Sequence, residues 1–287
     1  MLMNDNSFKK EFFKTLVILK DYLFDIVIAG GWAPLIYYHY LLLDKSIRPL
    51  RTKDIDIVVP ERLKKRKEKT VNELLLEAGF KPKFKSLHTP PVVSYEGIIG
   101  DYEVEIEFLT HKRGPKEDIV IEVQQGLLAQ SLRFINLLLD NTIEVDIDDF
   151  LLADGKILRI RVPTPGAYIF QKGLIFVRRN KRLKKAKDLY YIFDILTNCQ
   201  KLHNQIIDEF IRFREFYPKN WTRQFLKNLK KYFADVNAEG IHLIQSQRST
   251  GAFPSMEEEQ FAQYTLSVFH EFIPKVEALC GSKSAIF

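Results

Sequence analysis

Between Lys53 and Pro60 the chain reads KDIDIVVP, so that Asp54 and Asp56 alternate with Ile55 and Ile57. Successive side chains on a strand point to opposite faces, which places both carboxylates on one face and both isoleucines on the other. Pro60 lacks the N–H that a continuing ladder needs and ends the strand. A segment of this kind demands a sheet with one buried face. A later stretch, YEVEIEFLT from Tyr102, has the same period, with Glu105 and Glu107 at alternate positions. Upstream, FDIVIAGG runs β-branched residues into Gly30 and Gly31, the pattern of a buried strand and a sharp turn, and WAPLIYYHYLLL then reads as a helix.

The remaining periodicity divides the chain in two. An amphipathic helix is expected over about 7–22, another over 62–78 closing at Gly79, and short strands around 83–95. Strands are also expected at TIEVDI and KILRIRV, separated by the turn ADGK, in an otherwise mixed region from 119 to 162. Beyond Pro163 and Pro165 helical patterns dominate, at about 166–178, 185–197, 201–215, 220–235 and 256–279. The expected organisation is an N-terminal domain over 1–162 and a mainly helical C-terminal domain over 163–287. The fold class is α+β, a mixed sheet flanked by helices and followed by helices.

Composition narrows the function classes. With 287 residues and 46% hydrophobic content the chain can bury a proper core. No apolar run is long enough to span a membrane and the N-terminus lacks the order of a signal peptide, so a cytoplasmic protein without a membrane partner is expected. Cys199 and Cys280 form neither a disulfide framework nor a metal-spaced pair. The net charge of +6 is concentrated in ERLKKRKEK (61–69) and VRRNKRLKKAK (177–187), each readable as a solvated face or as a phosphate or nucleic-acid contact. The six histidines lack ligand spacing, and no Walker A lysine motif, serine elbow or dinucleotide-binding glycine pattern is present.

Three pieces carry chemistry together: the Gly30-Gly31 turn, Asp54 and Asp56 on the next strand, and Glu105 and Glu107 on a later one. Same-face carboxylates beside a third from a neighbouring strand repel unless a cation holds them, and such oxygen-rich sites suit Mg²⁺. Glycines before a helix let backbone N–H groups approach a phosphate. A rival set, Glu144, Asp146 and Asp148 in TIEVDIDDF, has no glycine turn and helix before it.

AGGWA with its following helix, RTKDIDIVV and IEFL resemble the signature of the DNA polymerase β superfamily of nucleotidyltransferases, most closely over 26–109. The glycine context and the Arg51-Thr52 pair before the aspartates are similar to bacterial branches, among them toxin or abortive-infection nucleotidyltransferases. FQKGLIFVRRNKRLKKAKDLYYIFDIL resembles the helical segment that follows the catalytic domain in those branches. The resemblance implies Gly30, Gly31 and Thr52 at the triphosphate, Asp54, Asp56 and Glu107 on the metals with Glu105 as the competing third acid, and Lys172, Arg178 or Arg179, Lys187 and Asp188 as further site residues. Lys172 is implied in the catalytic set. Two departures stand out: the third acid is Glu where Asp is commoner, and Tyr191 occupies a position where such proteins often carry a second acid.

What the resemblance implies is transfer of a nucleoside monophosphate from a nucleoside triphosphate, with two Mg²⁺ ions, to an RNA, protein or small-molecule acceptor. The basic runs would reach an RNA or protein acceptor, and a toxin would have an antitoxin partner. The competing expectation is a catalytically retired fold that binds nucleotide, nucleic acid or protein.

Overall fold

The computed structural model describes residues 5–50, 52–84, 93–111, 114, 119–152, 155–248, 253 and 255–281. They divide into two compact units, Met1–Ile36 with Arg51–Thr164, and Tyr37–Leu50 with Pro165–Phe287. Residues 37–50, assigned by sequence to the N-terminal domain, therefore belong with the C-terminal helices.

The first unit runs α1 (Asp5–Ile18), β1 (Val27–Ile28), α2 (Trp32–Ile36), β2 (Asp54–Val58), α3 (Val71–Glu77), β3 (Lys81–Phe84), β4 (Val93–Ile99), β5 (Tyr102–His111), β6 (Val120–Gln124), β7 (Leu127–Leu132), α4 (Asn136–Asp140), β8 (Thr142–Leu151) and β9 (Ile157–Pro163). Among the described residues β1 to β7 form one sheet in the order β1-β2-β5-β4-β3, with β7 pairing the far end of β5 and β6 pairing β7. β2 is parallel to β5, and β5 to β7; the other pairs are antiparallel. The sheet is thus mixed, as expected. β8 and β9 make a separate antiparallel pair.

The period-two pattern explains which face of β2 and β5 is buried. Ile55, Ile57, Ile106 and Phe108 are all 1% exposed or less, each burial worth about 2 kcal/mol. On the opposite face Val58 and Leu109 pack with Val27, Ala29, Ile135 and Leu138, so the carboxylates of both strands stand just beyond a small apolar cluster. Trp32, next to the glycine turn, is buried in a stack on Phe12 with ring centroids 3.6 Å apart.

The helix expected over 62–78 is only Val71–Glu77, preceded by irregular chain through the basic run. Thr70 starts it with a capping box, its hydroxyl accepting from Glu73 N and the Glu73 carboxylate accepting from Thr70 N. Before that cap the backbone is held by distant groups instead: Leu63 N donates to Val123 O and Tyr22 Oη to Lys69 O. Of the strands expected around 83–95, residues 85–92 lie outside the described residues, as does Arg51. The helix α4 and the strands β6 and β7 were not resolved from the mixed region of the sequence.

The second unit contains α5 (Pro165–Ile175), α6 (Arg182–Asn198), α7 (His203–Phe216), α8 (Lys219–Tyr232), α9 (Glu239–Gln245) and α10 (Glu258–Gly281), together with the π-helical turn Tyr37–Leu41. Phe170, Phe210, Phe213 and Phe225 form an aromatic core. Gly173 is needed against it, since a Cβ there would stand 2.3 Å from the Phe225 ring. Tyr37, Tyr38 and Tyr40 are buried, the first two completely. No helix among the described residues is long and apolar enough to cross a membrane.

Candidate active site

β1 is antiparallel to β2, with Ile28 opposite Ile57, and Ala29 N donates to Asp56 O. That brings the glycine turn alongside Asp56. Gly30 has φ +59°, the left-handed region that costs an L-residue about 1–2 kcal/mol. A Cβ on it would lie 1.9 Å from Asp56 Oδ2. Two independent constraints therefore require glycine at 30. Gly31 is buried behind it, where α2 begins.

The parallel register of β2 and β5 pairs Asp54 with Glu105 and Asp56 with Glu107. Paired residues of adjacent strands share a face, so four carboxylates stand on one face in two rows. Asp54 is exposed, and Asp56, Glu105 and Glu107 are half-buried. On the far side of Glu105, β4 adds Glu96, which is held by Lys83 Nζ at 2.7 Å. Glu107 is the partner of the aspartate that touches Gly30, whereas Glu105 lies between Asp54 and Glu96. Thr52 is half-buried two residues before Asp54.

A hard divalent cation suits this donor set, because all donors are carboxylate oxygens and like charges in adjacent rows need neutralising. Among the described residues no three His, Cys, Asp or Glu side chains are gathered closely enough to hold a metal as they stand. The fit thus rests on placement: the backbone sets the acids on one face, and side-chain rotation would have to bring them together. A recess of about 600 Å³ lies elsewhere, past the C-terminal ends of β2 and β5, lined in part by Pro60, His111 and Asn136.

Two of the three rival acids face arginines across their own hairpin. Register sets Asp146 opposite Arg159, which donates to both its carboxylate oxygens at 2.6 and 3.0 Å, and Glu144 opposite Arg161. Arg159 holds the Asp146 carboxyl below its usual range.

In the second unit Asp188 is 3% exposed, and it accepts from Lys172 Nζ and Arg179 Nε, each at 2.7 Å. Burial pushes its pKa up, but the two cations more than offset this and hold it below the usual carboxylate range. Asp188 is therefore an ion-pair centre that fixes Lys172 and Arg179. The Lys172 ammonium also faces the rings of Tyr168 and Tyr191, at 5.4 and 5.7 Å from their centroids. Where the resemblance expects a second acid, Tyr191 thus offers Lys172 an aromatic face. Arg178 is exposed and Lys187 half-buried, and neither forms an ion pair among the described residues.

Sequence reasoning missed a second buried acid on the same helix. Asp194, 1% exposed, accepts from Tyr38 Oη at 2.7 Å and Asn198 Nδ2 at 2.9 Å. Burial raises its pKa to about 7, against the lowering effect of those hydrogen bonds. Nearby, burial and the Asp194 charge raise the Cys199 thiol to about 12, making it an inert core residue.

A family model described as Nucleotidyltransferase matches residues 19–212. No curated protein and no solved structure matches the chain.

Proposed function

Because the chain belongs to this nucleotidyltransferase family, we propose that it is a metal-dependent enzyme of the polymerase β type, transferring a nucleoside monophosphate from a nucleoside triphosphate to an acceptor and releasing pyrophosphate. The observation that carries this reading is the register of β2 on β5, which aligns Asp54 with Glu105 and Asp56 with Glu107 beside Gly30.

In this reading Gly30 and Gly31 let the backbone approach the triphosphate, with Thr52 close to the same strand. Asp54, Asp56 and Glu107 would hold two Mg²⁺ ions, which when bound lower the pKa of an attacking hydroxyl and neutralise the leaving pyrophosphate. Glu107 accepts the proton of the attacking oxygen. Within the second unit Lys172, Arg178 and Lys187 are basic groups suited to phosphate oxygens, with Asp188 holding Lys172 in place. Attack at the α-phosphorus forms one P–O bond as the bond to pyrophosphate breaks.

Calorimetric titration of each of the four nucleoside triphosphates with Mg²⁺ tests the proposal. One triphosphate should bind to the wild type and lose binding in Asp54→Ala/Asp56→Ala or when EDTA replaces the metal. Failure of all four to bind would overturn it in favour of a retired fold.

A further inference from the structure

α8 carries Lys219, Arg223, Lys227, Lys230 and Lys231, and no acidic residue. At 3.6 residues per turn these five fall within an arc of about 120°. All are exposed, while Phe225, Leu229 and Tyr232 on the opposite side are buried. Lys230 pairs with Glu277 at 2.5 Å; the other four form no ion pair among the described residues. Solvated helices usually interleave both signs, because i,i+4 pairs of opposite charge stabilise them and like charges destabilise them. A one-sign face departs from that pattern.

A second basic run begins α6 near the C-terminal end of α8, reached through Tyr232 on the buried side of that helix. At the end of α8 the Tyr232 hydroxyl lies 3.2 Å from Lys185 Nζ on α6, and its ring meets Phe176 edge-on at 4.8 Å. Arg178, Lys181, Arg182 and Lys184, all exposed, flank those contacts. Glu239 lies 3.5 Å from Lys185.

We infer that the α8 face is a docking surface for a single-stranded nucleic acid gripped by its phosphodiester backbone. Lys219, Arg223, Lys227 and Lys231 succeed one another at a rise of about 6 Å, a spacing on the order of the step between phosphates along a strand. A membrane surface fits less well: an interfacial helix inserts an apolar face, and that of α8 is already buried in its own core. The strand's role as acceptor rests on the transferase reading, whereas its binding does not.

Fluorescence anisotropy of a short labelled single-stranded RNA, in EDTA and without nucleotide, tests the surface. Arg223→Glu/Lys227→Glu/Lys231→Glu should bind at least about tenfold more weakly, and the slope of log affinity against log salt should fall by about two for three lost contacts. The corresponding triple Gln variant should show an intermediate loss, and far-ultraviolet circular dichroism of both should match the wild type. Asp54→Ala/Asp56→Ala should bind RNA normally, so that RNA binding and triphosphate binding fail separately. Equal affinity for the matching DNA strand would support backbone recognition; tighter RNA binding would add contact to the 2′-hydroxyl. Three results would overturn the inference: no RNA binding by the wild type, a loss confined to Lys64→Glu/Lys65→Glu/Lys67→Glu, or binding to phosphatidylserine vesicles as tight as to RNA.

Discussion

Gly30 and Asp56 are in such close contact that no side chain fits between them: a β-carbon at 30 would fall 1.9 Å from the Asp56 carboxylate. Gly30→Ala must therefore displace Asp56 and also hold alanine at φ +59°. The expected outcome is a stability loss of about 1–2 kcal/mol from the backbone alone, with metal-dependent triphosphate binding reduced far more than that loss explains. Denaturant melts and calorimetry on the same variant separate the two. Normal triphosphate binding by Gly30→Ala would show that Asp56 is not at the nucleotide.

Glu105 and Glu107 pair with different aspartates, so substituting each separately assigns the third carboxylate. Glu107→Gln should reduce turnover on the order of 10²-fold or more, the usual effect of losing one group that stabilises transition-state charge. Glu105→Gln, which relieves repulsion between Asp54 and Glu96, should leave most activity. Pyrophosphate release with the preferred triphosphate reads both, and the reverse ranking would move the role to Glu105.

Elements whose pattern depends on near neighbours were readable in advance. KDIDIVVP declared its strand and its carboxylate face through period two alone, and α5 to α8 and α10 through their own periodicity, whereas the short α9 was not foreseen. The basic run before Thr70 misled, because Tyr22 and Val123 hold its backbone and neither is close in sequence. The passage of 37–50 into the second unit was equally hidden: Tyr38 and Asp194 are 156 residues apart. In the candidate site the residue types were visible, but not the register that pairs Asp56 with Glu107. The engagement of Asp188 by both Lys172 and Arg179 was also invisible, since it depends on how α5 and α6 pack.

Asp188→Asn leaves Lys172 and Arg179 without their shared counter-charge, and Lys172 is only 8% exposed. Removing one partner from a buried ion pair costs about 3–5 kcal/mol. Urea unfolding should show a loss of that order, although no catalytic acid has been touched. Lys172→Met, which keeps an apolar stem against Tyr168 and Tyr191, should cost less. A neutral effect of Asp188→Asn would show that the two cations find other partners.

Asp194 gives the second unit a pH dependence whose sign follows from burial. Its pKa is near 4 in the unfolded chain and about 7 when folded, so between those values the folded state retains a proton that the unfolded state has lost. Stability from this group is complete below about pH 4, declines by about 1.4 kcal/mol per pH unit through that window, and levels off above pH 7. Other groups titrate over the same range, so the quantity to measure is the difference between wild type and Asp194→Asn, which retains an acceptor for the Tyr38 hydroxyl but cannot ionise. The variant should gain on the wild type steadily from pH 5 to pH 7 in denaturant melts and hold a constant lead beyond. A difference that stays flat across that range would mean that Asp194 ionises as an ordinary carboxylate despite its burial.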